Sequence, residues 1–108
     1  MYTMHKRLVA KLQPDRFNEM SGKMAAVVGY ILNEPFSEPR IASLAVTAEG
    51  IVVAQPAGEG HSEFLGTEAD LNRNLVSLVE AAGLDPDEAA EFGRLQRERI
   101  TRYSDHAG

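Results

Sequence analysis

The chain contains no cysteine and no tryptophan. The first absence excludes disulfides, thiolate metal sites and a cysteine nucleophile. It is compatible with a reducing compartment. Aromatic residues are sparse, with four Phe and three Tyr, so the core must come mainly from Leu, Val, Ile, Met and Ala. There is also no excess of positive charge. Eleven Lys and Arg against sixteen Asp and Glu give a formal net charge of −5. That balance disfavours general nucleic-acid binding and docking on anionic lipid. No apolar run approaches the ~20 residues needed to span a bilayer. The apolar stretch after Lys6 and Arg7 is too short for a signal-peptide core. The expected location is therefore the cytoplasm.

What is present fits one domain. The chain has 108 residues, of which 44% are hydrophobic, a globular composition at the usual size of a single unit. No internal repeat or long linker divides it. Residues 104–108 are expected to fray, and whether 1–13 are ordered is left open. Met4, Leu8 and Leu12 fall at helical spacing, although Leu8-Val9-Ala10 also suits an extended segment. Pro14 closes that segment and suits the first turn of the next helix. Phe17, Met20, Met24, Val27, Val28 and Ile31 then make one stripe on a long helix over 14–33. Gly22 and Gly29 each oppose it by about 1 kcal/mol. The competing reading is a helix to Met24 followed by a strand over 25–32.

Two prolines make 34–39 a loop. A hairpin follows, with strands over 40–47 and 51–55 and a three-residue loop in which Gly50 takes the left-handed position. If Thr47 pairs with Ile51, Val46 faces Val52 and Leu44 faces Ala54. One face then holds Ala42, Leu44, Val46, Val52 and Ala54. The other holds Ile41, Ser43, Ala45, Thr47, Ile51, Val53 and Gln55. A short third strand over 63–66 would complete a meander. Thr67 caps a helix whose buried face carries Leu71, Leu75, Leu78, Val79 and Ala82, and Gly83 ends it. Asp85-Pro86-Asp87-Glu88 opens a last helix, predicted to run to Tyr103. The expected fold is α+β: a long N-terminal helix, a small antiparallel meander of two or three strands, and a C-terminal helical hairpin packed on the sheet.

No catalytic constellation emerges, and no cofactor or resident metal is implied. His61 between Glu59 and Glu63 is the one local metal-type cluster, and a solvated loop is the plainer account of it. Asp70, Arg73 and Asn74, with His61 and Glu63, are the candidate ligand contacts. Arg94, Arg97, Arg99 and Arg102 make a basic stretch that neighbouring glutamates and the helix dipole explain without nucleic acid. The second hairpin face, Ile41, Ala45, Ile51 and Val53 with Phe36 nearby, is the candidate interface. The residues favour a non-catalytic interaction or regulatory domain that acts as a homodimer. The alternatives are a small-molecule binder with a pocket between sheet and C-terminal helices, and an enzyme whose site forms across a dimer interface.

Overall fold

The computed structural model describes residues 2–13, 22–36 and 40–103. These form four helices and one four-stranded mixed sheet. In chain order they are α1 (Tyr2–Leu12), α2 (Gly22–Leu32), β1 (Ile41–Val46), β2 (Ile51–Pro56), β3 (Glu63–Thr67), α3 (Glu68–Ala82), α4 (Pro86–Arg99) and β4 (Ile100–Arg102). The sheet order is β3-β2-β1-β4. Three strands are the antiparallel meander; β4 joins parallel to β1.

The N-terminal third corrects the sequence expectation. Two helices stand where one long helix and an undecided lead segment were expected. The described helix starts at Gly22, and residues 14–21 lie outside the described residues. The strand alternative for 25–32 also fails. Val27, Val28, Ile31 and Leu32 are all buried on α2, because this helix is covered on most sides and can carry strand-forming side chains. Gly29 has a positive role there. A Cβ at this position would overlap the carbonyl oxygen of Glu34 and lie 3.1 Å from the Phe36 nitrogen. The chain turns back here because Asn33 adopts φ 59° and the Glu34 N–H donates to the Gly29 carbonyl at 2.8 Å. α1 is a regular helix whose Leu8 and Leu12 are fully buried, and it packs on α2, α3 and α4.

The hairpin follows its expected register. Val46 pairs with Val52 and Leu44 with Ala54, and Gly50 takes φ 82° in the three-residue loop. Below Ser43 the register shifts. Ala42 is the extra residue of this bulge and is exposed, contrary to its assignment to the core face. Ile41 pairs with Pro56 and turns onto the core side, where it packs beside Phe36. A bulged residue reverses the inward–outward alternation beyond it, which is why pure period-2 counting misplaced both. A second bulge separates Val52 from Val53 in the β2–β3 pairing. It leaves Val53 opposite Phe64 and Val52 opposite Gly66.

The C-terminal end differs in one further respect. The last helix stops at Arg99 and not at Tyr103. Ile100 and Thr101 are β-branched and favour extended backbone, and β4 pairs Ile100 with Leu44, burying it. The caps upstream stand as expected. Thr67 Oγ1 accepts from the Asp70 N–H, and Gly83 is left-handed at φ 70°. Asp85 and Glu88 form a reciprocal capping box with Pro86 in the first turn. The inner sheet face (Leu44, Val46, Val52, Ala54, Ile100) joins the helices in one core around Phe92.

Candidate functional site

The inward residues Leu44, Val46, Val52, Ala54 and Ile100 are used up in the core with the helices, so the outward residues decide what the sheet can bind. One row runs straight across all four strands: Thr101 beside Ala45, Ala45 beside Val53, Val53 beside Phe64. The next row starts at Tyr103, whose N–H donates to the Val46 carbonyl at 2.9 Å. It continues through Thr47 to Ile51, which pairs with Thr67. Ser43 and Gln55 pair on the third row. Phe64 is 61% exposed and Tyr103 62% exposed, and Ala45, Ile51 and Val53 are half-buried. None of these side chains carries a charge, in a chain that is 25% charged. Among the described residues no helix covers this face.

The structure divides the expected interface residues. Ala45, Ile51 and Val53 share the outer face. Ile41 and Phe36 lie on the opposite side, where with Tyr30, Arg40 and Arg99 they line a cavity of about 40 Å³. Phe64 and Tyr103 extend the outer face and were not anticipated. Phe64 carried a signal, since its place in a third strand was expected and a bulge sets its side. Tyr103 carried none, having been assigned to a helix.

The expected ligand contacts do not converge. Asp70 and Arg73 pair with each other across the exposed first two turns of α3, and Asn74 is exposed. His61 lies 3.8 Å from both Glu59 and Glu63, all of them exposed. No group of three or more His, Cys, Asp or Glu among the described residues could hold a metal ion. An open groove of about 390 Å³ lies between α3 and α4, lined by Asn72, Leu75, Val76, Val79, Ala89 and Phe92, with Glu80 and Gln96. Asp70, Arg73 and Asn74 do not line it. Arg94, Arg99 and Arg102 are engaged. Arg94 pairs with Glu91 and Glu98, and Arg102 with Glu68. Arg99 stacks 4.2 Å from the Tyr30 ring and donates to the Tyr30 carbonyl.

One charged cluster was missed. Glu88 is fully buried, the one charged side chain so placed among the described residues. Its Oε1 accepts from Lys11 Nζ at 2.8 Å and from the Asp85 N–H at 3.0 Å. The Arg7 guanidinium lies 2.7 Å from Oε2, an ion-pair contact outside hydrogen-bonding geometry. The Lys11 hydrogen bond, then the Asp85 amide, hold the carboxyl below its usual range against the upward push of burial. Arg7 also reaches Asp85 at 3.2 Å. Arg7 and Lys11 are one helical turn apart, so their shared face was readable; their acidic partner was not. The cluster fastens α1 to the start of α4.

Comparison with protein-family models, with curated proteins and with solved structures gives no match for this chain. No helix among the described residues is long and apolar enough to cross a membrane.

Proposed function

We propose that this chain is a non-catalytic interaction module whose binding surface is the outer face of its sheet. One observation carries the reading: an uncharged face spanning four strands that gathers Ala45, Ile51, Val53, Phe64 and Tyr103, with Phe64 61% exposed, and no helix over it among the described residues. Large apolar residues gathered on one face of a small domain favour contact with another macromolecule. The charged residues away from this face support the reading by what they do. Asp70, Glu68, Glu91 and Arg102 pair with neighbours, and Glu88 serves a helix cap and a buried ion cluster.

In-cell photo-crosslinking tests the reading without presuming the partner. Benzoylphenylalanine in place of Phe64 is expected to give a discrete protein adduct, while the same probe in place of Arg73 gives none. Equal labelling from the two positions, or none from position 64, refutes the reading.

A further inference from the structure

Resting on that reading, we infer that the occupant of the outer face is a second copy of this chain, stacked sheet on sheet about a twofold axis that lies in the interface and runs along the strands. The argument is one of size and charge. Across the central row the side chains grow from one edge to the other: Thr101, Ala45, Val53, Phe64. A twofold axis parallel to the strands reverses strand order between the copies. It sets Phe64 over the partner's Thr101 and Val53 over the partner's Ala45. The neighbouring row runs the opposite way at its ends, Tyr103 to Thr67, and the same operation again sets large over small. Sheets pack about 10 Å apart when large and small side chains interdigitate across the gap. An axis across the strands would instead stack Phe64 on Phe64 and leave Ala45 facing Ala45.

Charge restricts where two copies can meet. Each copy is acidic, with a net charge of −5, so two copies can meet closely only where neither presents charge. The outer face is such a surface. A strongly charged partner would find no counter-charge on it. Its extent sets the strength. Four strands about 4.8 Å apart, by about 15 Å along them, give a footprint of roughly 300 Å². Standard interfaces bury about 800 Å² per partner. Two such footprints bury about 600 Å² in all, half or less of what a stable interface buries, so the dimer is a weak, reversible one.

Sedimentation velocity on the full chain, from low to high micromolar, tests this. The wild type is expected to pass from the 11.8 kDa monomer to twice that mass. Val53→Lys places two ammonium groups on a dry interface and should weaken association at least about tenfold. Phe64→Lys repeats the test at an exposed position where folding is not at stake. The geometry has its own test at two exposed sites. Thr101→Phe sets Phe against Phe64 and weakens the dimer, and adding Phe64→Thr in the same chain restores it. A wild type that stays monomeric throughout overturns the inference. So does a Val53→Lys dimer as strong as the wild type, or a double variant that fails to recover. A monomeric wild type that still gives a heterologous adduct from position 64 refutes self-association alone and leaves the interaction module standing. A monomer with no adduct refutes both.

Discussion

Replacing Leu12 by Ala tests whether α1 belongs to the core. Leu12 is fully buried near the end of α1, and it sits in the same cluster as Phe92 and the inner sheet residues. The substitution removes three methylene-sized groups, a transfer loss of about 2.4 kcal/mol at about 0.8 kcal/mol each. An unrelaxed cavity adds up to about 2 kcal/mol. α1 touches helices and has no extensive contact with the strands, so it can settle inward and close part of the cavity. A loss near 3 kcal/mol is expected, a large share of the 5–15 kcal/mol typical of a domain. Urea unfolding followed by circular dichroism reads it. With a slope of about 1–2 kcal/mol per molar, the midpoint should fall by roughly 1.5–3 M, and the melting temperature by about 12 °C or more. A loss under about 1 kcal/mol would refute the packing of α1 against the core.

Three other perturbations have defined outcomes. Gly29→Ala gains about 1 kcal/mol of helix propensity but drives its Cβ into the Glu34 carbonyl, so a net loss of about 1–3 kcal/mol is expected by thermal melting. Thr67→Ala removes the acceptor for the Asp70 N–H and should cost about 1 kcal/mol by urea unfolding. The folded state holds Glu88 below the ordinary carboxylate range. Its contribution is therefore present above the unfolded carboxylate value and lost as pH falls through the folded one. Wild-type stability should decline in that acidic window, and Glu88→Gln should show a flatter profile there; identical slopes would contradict the buried ion cluster.

Local signals proved legible where chemistry is confined to a few neighbours. Thr67, Gly83 and the Asp85–Glu88 box mark helix ends because each acts through backbone groups within three or four residues. Gly50 and the Val46–Val52 pairing follow from loop length. What was left open or missed is tertiary. Residues 25–32 were expected within a helix with a strand as the rival, and α2, buried on most sides, can carry their strand-forming side chains. Ile100 continues a helical pattern, yet leaves the helix because Leu44 offers it a place beside β1. Ala42 and Ile41 exchange faces through one bulged residue, which alternation alone cannot locate. For the candidate interface, Ala45, Ile51 and Val53 were readable from strand parity. Phe64 and Tyr103 needed the fourth strand and the second bulge. The Lys11–Glu88 pair joins positions far apart in sequence, and nothing local announces it.

The central claim is that the outer sheet face meets a second copy of this chain. A dilution series of the ¹⁵N-labelled chain, followed amide by amide in heteronuclear spectra, tests this most directly. Concentration-dependent shifts should gather at Ala45, Val53, Phe64, Thr101 and Tyr103, with Val76 and Val79 in the α3–α4 groove unmoved. Shifts confined to that groove, or no shift at any residue up to high micromolar concentration, would contradict it.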